Sequence, residues 1–386
     1  MKILVLSNYF PEHIGGIEFV ANNLVQNYRA NGHAVRWIAC TVQRSLNNKH
    51  PDNHHLRCNN FTEDRLGFPY PLPRLNSLPI IYRDVFWCDV IHIHDCLYVA
   101  NILAFIISRI KKKPVLLTQH VAAISYRQNY KKILQTIAYR SIGKMLVQGA
   151  ERVVFITPTV HEWFAKFAST RKPATDLPNG CDNELFYPIE SGERREYRQK
   201  LDLPSDKQVF IFVGRFTEKK GVHIIRSLVS KYPNIFWVLI GREGDEDPWL
   251  WTGHNFRIID NLPQNDLREY YWAADLLILP SSGEGFPLVV QEAMSCGTVP
   301  LVSGDIFDSL QDSNAPLFKA LLTPSAFSQQ IDQILENFNH IDDLQLNAAR
   351  YAKGKWSWEY TTGEYLRLLN QVQSEYTRRA RPPRIT

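Results

Sequence analysis

Ten short apolar runs, separated by segments of helix length, constrain this chain more than any other feature. The first half offers KILVLSN, AVRWIACT, DVIHIHD, PVLLTQH and RVVFIT. The second offers VFIFVGR, FWVLIGR, FRIIDN, DLLILPS and VPLVSG. Runs that are apolar on both faces and alternate with helices belong to parallel sheets covered on each side. Split five and five, they predict an α/β chain of two doubly wound domains in tandem. The length of 386 residues agrees, because a single core rarely grows that large. In such sheets ligands bind at the carboxyl ends of the strands, so the cleft between the two domains is the expected site.

The boundary falls in PATDLPNGCDNELFYP, punctuated by Pro173, Pro178, Asn179, Gly180 and Pro188. The first domain is expected over residues 1–177 and the second over 178–355. A final helix opened by WSWE follows over 356–377, and then a basic tail over 378–386. Residues 43–79 are polar and poor in periodic apolar positions, and they read as a long excursion near the cleft or a loop.

Composition is that of a soluble globular protein, with 45% hydrophobic and 22% charged residues. Six cysteines without a C-x-x-C pair indicate reduced thiols and a cytoplasmic address. Met1 runs straight into a strand pattern, so no signal peptide is read. The longest apolar stretch, near residues 97–107, has about eleven residues, against roughly 20 for a membrane span. Net charge is only +5, but it is unevenly placed. Residues 96–150 contain no Asp or Glu, and they carry Arg109, Lys111, Lys112, Lys113, Arg127, Lys131, Lys132, Arg140 and Lys144, with Tyr126, Tyr130 and Tyr139 among them. These are either solvated helix faces or a patch that meets anionic lipid or a phosphorylated acceptor.

The segment SSGEGFPLVVQEAMSCG, residues 281–297, follows the strand DLLILP and sets Glu284 in a Gly-flanked turn, with seven residues between it and Glu292. A strand, a Gly-containing loop and a helix start together aim backbone N–H groups and a helix dipole at an anion. One module earlier, VFIFVGR is followed by FTEKKG, which puts Arg215 and Lys220 between a strand end and a helix start. Two cations there suit a diphosphate, although exposed loops also carry Lys and Arg. Gly15 and Gly16 open the first helix and allow close backbone approach; G-x-G-x-x-G is absent, which disfavours a nicotinamide dehydrogenase. His120 ends PVLLTQH and is expected to face the cleft. Two other patterns have plainer readings. Cys88, His92, His94 and Cys96 have metal-ligand types but lie in or beside a strand. Asp245 and Asp247 resemble a metal-holding D-x-D but sit where caps and turn formers are expected.

Together these residues resemble the retaining, nucleotide-sugar-dependent glycosyltransferases of the GT-B fold, two Rossmann-like domains facing a cleft, and especially family four (glycosyl transferases group 1). The resemblance runs along nearly the whole chain: GG-x-E at Gly15, Gly16 and Glu18; VGRFTEKKG; PNG at the junction; AADLLILPSSGEGFPLVVQEAMSCGTVP; and WSWE. It implies that Arg215 and Lys220 hold the donor diphosphate, that Glu292 binds the ribose, and that Glu284 lies near the sugar with the backbone of Gly285, Phe286, Pro287 and Leu288 around it. It also implies that Leu262 meets the base through its backbone, that Gly15 and Gly16 approach the diphosphate, and that His120 lies near the transferred sugar. The family's Gly-Gly-x-x-E stretch is replaced by IFDSLQDSNAPLF after Asp305, which bears on the donor-side loop. The implied activity is transfer from a UDP-sugar to a glycan or lipid-linked acceptor, with no metal, cofactor or nucleic acid, in the cytoplasm or at the inner face of a membrane. A non-catalytic nucleotide-sugar-binding protein and a sugar-nucleotide epimerase on the same fold stand as alternatives.

Overall fold

A computed structural model of the chain describes residues 1–13, 16–41, 50–59, 70–122, 129–190, 192–282, 287–310 and 312–380. The chain forms two compact units, Met1–Gly180 with Glu359–Thr386, and Cys181–Trp358.

In the first unit the strands are β1 (Lys2–Tyr9), β2 (Ala34–Thr41), β3 (Asn53–Asn59), β4 (Leu72–Pro73), β5 (Val90–His94), β6 (Val115–Gln119), β7 (Arg152–Phe155) and β8 (Thr175–Asp176). The helices are α1 (Gly16–Ala30), α2 (Leu78–Trp87), α3 (Val99–Ile110), α4 (Asn129–Ala138), α5 (Lys144–Gly149) and α6 (Pro158–Ala165). The sheet order is β4-β3-β2-β1-β5-β6-β7-β8, parallel except for the β3–β4 pair. β1 lies at the centre, with Val5 in register between Trp37 and His92, and every residue of it but Lys2 is buried. The helices close tightly on one another: a Cβ on Gly149 at the end of α5 would stand 2.3 Å from Cζ of Phe105 on α3. Only glycine lets the two helices meet there.

The second unit contains β9 (Val209–Val213), β10 (Phe236–Ile240), β11 (Phe256–Ile259), β12 (Leu276–Leu279), β13 (Val299–Ser303) and β14 (Phe318–Ala320). Its helices are α7 (Glu193–Lys200), α8 (Val222–Lys231), α9 (Gln264–Ala273), α10 (Leu288–Ser295), α11 (Gly304–Ser309), α12 (Pro324–Glu336) and α13 (Ile341–Lys355). The order β11-β10-β9-β12-β13-β14 is wholly parallel. Each sheet is thus of the predicted doubly wound kind, and each of the ten apolar runs contains a strand.

The five-and-five count is corrected by four further strands, β3, β4, β8 and β14. The most instructive is β3, NHHLRCN, which lies inside the segment expected to be an excursion. It pairs parallel to β2, with Trp37 opposite Asn53 and Thr41 opposite Arg57. Its polar residues find specific partners instead of an apolar face. Asn53 accepts from Arg29 at 2.8 Å, His55 lies 2.7 Å from Thr41 Oγ1, and His54 pairs with Asp84. Residues 43–49 and 60–69 of that segment lie outside the described residues.

The last helix, α14 (Trp358–Ala380), packs its far part onto the first unit. Tyr365, Leu368, Leu369 and Val372 are buried at the i, i+3, i+4, i+7 spacing of one helical face. Thr118 Oγ1 on β6 donates to Tyr365 Oη at 3.2 Å, and Arg152 and Lys172 both pair with Glu375. All six cysteines are buried thiols.

Candidate functional site

From β9 the chain winds outward to β10 and β11 on one side, and β12 to β14 continue on the other. The crevice at the carboxyl ends of β9 and β12 is therefore a topological switch point, the place where open α/β sheets take ligands. Arg215 and Lys220 follow β9, and Ser281 and Ser282 follow β12. The two segments are tied together. Ser282 N–H donates to Lys219 O at 2.9 Å. Gly221 has φ +72, and a Cβ on it would lie 2.0 Å from Pro280 O, so no other residue fits between the segments. Lys220 lays its stem against the strand end, with Cδ 3.5 Å from the place a Cβ on Gly214 would occupy. Arg215 is exposed at the same edge, and α8 begins two residues after Lys220.

The acidic loop beside this turn is occupied with backbone. Asp245 Oδ1 accepts from Glu218 N–H at 3.1 Å, and Asp247 Oδ1 accepts from Trp249 N–H at 3.0 Å. Asp245 thereby fastens the turn that carries Lys220.

Pro287 is buried, and Leu288 opens α10. Glu292, in the second turn, is only 6% exposed. It accepts from Gln264 Nε2 at 3.1 Å and Tyr271 Oη at 3.2 Å. Burial pushes its carboxyl up to about 7, against the pull of those two hydrogen bonds. Leu262, half-buried against the core, precedes Gln264 by two residues. Gln264 and Tyr271 were not found from sequence. The available signal was their separation of seven on α9, which puts both on one helix face. Ser303 Oγ donates to Ser281 O at 2.6 Å, and Ser281 Oγ is buried without a partner among the described residues. Glu284, Gly285 and Phe286 lie outside the described residues, as does Gly15.

Gly16 and His120 belong to the first unit, whose own switch point falls between β1 and β5. A Cβ on Gly16 would meet no atom within 4 Å, so the packing of the unit does not demand glycine there. His120 follows β6 directly. It is 4% exposed, with Nε2 at 2.9 Å from His94 Nδ1 and the two rings stacked. Burial holds His92 and His120 down at about 3, and His94 well below the usual histidine range, so all three are neutral near pH 7. His92 spends both ring nitrogens inside the unit, at 3.2 Å from Tyr28 Oη and 2.8 Å from Thr118 Oγ1. Asp95, which sequence reading passed over, follows β5 with φ +71; burial pushes its carboxyl up to about 8. Gln119 donates to Asp95 Oδ1, and Asp95 Oδ2 is buried without a partner among the described residues.

Two family models match in succession, Glycosyltransferase Family 4 over residues 14–185 and Glycosyl transferases group 1 over residues 193–354. The chain is 27% identical to the putative teichuronic acid biosynthesis glycosyltransferase TuaC of Bacillus subtilis, over 56% of this chain and 53% of that protein. It is 30% identical to the D-inositol 3-phosphate glycosyltransferase of Mycobacterium tuberculosis (strain ATCC 25177 / H37Ra), over 62% of this chain and 54% of that one. These alignments therefore span about half the length of the curated relatives. The fold is similar to that of Anabaena Alr3699/HepE in complex with UDP-glucose, with a TM-score of 0.77 at 17% identity, over 96% of this chain and 100% of that one. With both halves matched in order on a two-sheet GT-B architecture, the chain belongs to the family-four, group 1 glycosyltransferases.

Proposed function

We infer that the protein transfers a hexosyl group, with retention and without a metal, from a UDP-sugar to a glycan or lipid-linked acceptor. The observation that carries this reading is the fastening of the Lys220 turn to the Ser282 loop at the β9–β12 switch point, with the buried Glu292 carboxylate on the following helix. Breaking the sugar–phosphate bond develops negative charge on the leaving diphosphate. Arg215, Lys220 and the N-terminal end of α8 oppose that charge with fixed positive potential, which is transition-state stabilisation by prearranged electrostatics. Glu292 accepts hydrogen bonds from the ribose hydroxyls, Leu262 meets the base through its backbone, and the Gly285–Leu288 backbone with Glu284 surrounds the sugar. Gly16 approaches the diphosphate, and His120 lies near the transferred sugar. With retention, the acceptor attacks on the leaving-group face and a phosphate oxygen takes its proton, so no second carboxylate of the glycosidase kind is needed.

The engagement of Asp245 and Asp247 with backbone N–H groups supports the metal-independent form of the reaction. The UDP-glucose complex of the similarly folded HepE supports the choice of UDP-sugars. The acid-free residues 96–150 support a first unit that works against an anionic membrane surface.

A screen of UDP-, ADP- and GDP-sugars by thermal shift and donor hydrolysis tests this reading. A UDP-sugar is expected to stabilise the protein, by about 2.7 kcal/mol at a hundredfold excess over Kd, and to be hydrolysed slowly in the presence of EDTA. Stabilisation without turnover would favour the non-catalytic binder, and an isomerised sugar nucleotide would favour the epimerase. Loss of turnover in EDTA, restored by Mg²⁺ or Mn²⁺, would overturn the metal-free step. Gly16→Ala is a second test. Because no atom crowds that position, the variant should melt like the parent yet lose on the order of tenfold or more in kcat/KM for the donor. Unchanged kinetics would remove Gly16 from the donor site.

A further inference from the structure

We propose that α2 and the carboxyl end of α3 form a docking face that seats apolar side chains in the interfacial layer of an anionic bilayer. This rests on the lipid-surface reading above and adds its anchor. α2 lies outside the basic stretch that suggested a membrane. On it, Leu78, Tyr82 and Phe86 recur every four residues, and all three are exposed, Phe86 to 66%. Ile106 and Ile110 repeat the spacing on α3, with Ile110 exposed to 70%. The core-facing positions of the same helices are already apolar: Ile81 and Val85 on α2, Ala104 and Phe105 on α3. The helices are therefore apolar on the wrong side for a water-facing layer.

The two exposed rows adjoin. Lys111 Nζ, just past α3, lies 4.6 Å from the Tyr82 ring centroid, and Lys113 Nζ lies 5.9 Å from that of Phe86. The apolar patch thus carries ammonium groups at its rim. Neither lysine is in an ion pair among the described residues, and the acids nearby have other partners. Asp84, the one carboxylate on α2, is fully buried and paired with Arg36, Arg83 and His54; Asp89 accepts from Lys2 N–H; Glu151 pairs with Arg109 and Arg171; and residues 96–150 have no acid. The next crossover repeats the theme. Tyr130, Ile133, Leu134 and Ile137 on α4 are each more than half exposed at the i, i+3, i+4, i+7 spacing, beside Lys131 and Lys132. Apolar bodies with cationic tips complement anionic headgroups over hydrocarbon. No helix among the described residues is long and apolar enough to cross a membrane, so the contact is with its surface.

Flotation of the full chain with vesicles of phosphatidylcholine alone, or of equal parts phosphatidylcholine and phosphatidylglycerol, tests the face. Binding to the anionic vesicles is expected, weakening steeply from about 0.1 M to about 1 M salt as the screening length falls from about 10 Å to about 3 Å. Phe86→Glu with Ile110→Glu should lower the partition coefficient at least about tenfold at low salt. Lys111→Gln, Lys112→Gln and Lys113→Gln together should lower it on the order of a hundredfold and flatten the salt dependence. Leu250→Glu, at an exposed apolar position of the second unit, should leave it unchanged. Circular dichroism and melting temperature check that the variants are folded. Absent vesicle binding, or a Phe86→Glu/Ile110→Glu chain that floats like the parent, overturns the proposal. So does a dimer in buffer that this variant dissolves, which would make the face a self-interface. UDP-sugar hydrolysis by the same preparations keeps the two readings apart, since docking can fail while hydrolysis persists.

Discussion

Lys220→Ala is expected to lower turnover of the donor by about a thousandfold, the scale on which a prearranged charge at a developing oxyanion acts, with the melting temperature within a few degrees of the parent. The backbone around Lys220 is held by main-chain hydrogen bonds. Lys220 N–H donates to Thr217 O at 3.0 Å, Gly221 N–H to Glu218 O at 2.9 Å, and Asp245 holds the turn from outside. Removing the side chain should therefore delete an ammonium group and leave the loop where it is. Because the charge matters most when the diphosphate departs, kcat should fall more than donor affinity. Lys219→Ala is the matched control, since the contact with the Ser282 loop is made by the Lys219 carbonyl. Lys220→Arg should recover only part of the rate, because a planar fork on a longer stem does not reproduce a point charge at the same atom. Equal rates for Lys220→Ala and the parent would sink the diphosphate role and the transfer mechanism with it.

Glu292→Gln is expected to lower donor affinity on the order of tenfold to a hundredfold, and to abolish a pH dependence that the parent should display. In the unliganded fold, burial raises the Glu292 carboxyl to about 7 from an ordinary value of 4.5. The folded value lies above the unfolded one, so the stability contribution of this group is complete below about pH 4.5 and is lost as pH rises through about 7. Ribose hydroxyls are hydrogen-bond donors and favour the ionised carboxylate. Donor binding should then draw the carboxyl back down, and affinity for a UDP-sugar should rise between about pH 6 and about pH 8. The amide of Gln cannot ionise, so its binding curve should be flat. Above about pH 7 the variant should also be more stable than the parent, because no buried carboxylate has to be charged. KM for the donor across this range, with thermal melts at the same pH values, checks both signs. A parent profile as flat as that of the variant would show that Glu292 does not meet the ribose.

The two arguments draw on different kinds of legibility. Lys220 could be read from the chain because its neighbours in sequence are its neighbours in space: a strand end, a turn and a helix start follow one another within FVGRFTEKKG. Glu292 could be placed on a helix for the same reason. Its raised carboxyl and its two partners could not, because Gln264 and Tyr271 come from another helix, 28 and 21 residues earlier. The strand β3 failed in the opposite way, since its polar side chains are satisfied by Arg29, Thr41 and Asp84, none of which leaves an apolar period in the segment itself. His120 was legible as a strand-end histidine, but its burial against His94 was not.

Sequence by itself therefore determined the α/β class, the ten apolar strands, the strand-end turn that carries Arg215 and Lys220, and the helix that carries Glu292. Periodicity and strand-end chemistry are local, and backbone geometry converts them directly into elements. Tertiary structure alone decided which strands are neighbours, and so that the Lys220 turn is fastened to the Ser282 loop across Gly221 and Pro280. It alone decided that Tyr82 and Phe86 of α2 and Ile106 and Ile110 of α3 stay outside, and that the Glu292 and Asp95 carboxyls are withdrawn from water. Those facts depend on contacts between segments far apart in the chain, which no local pattern records.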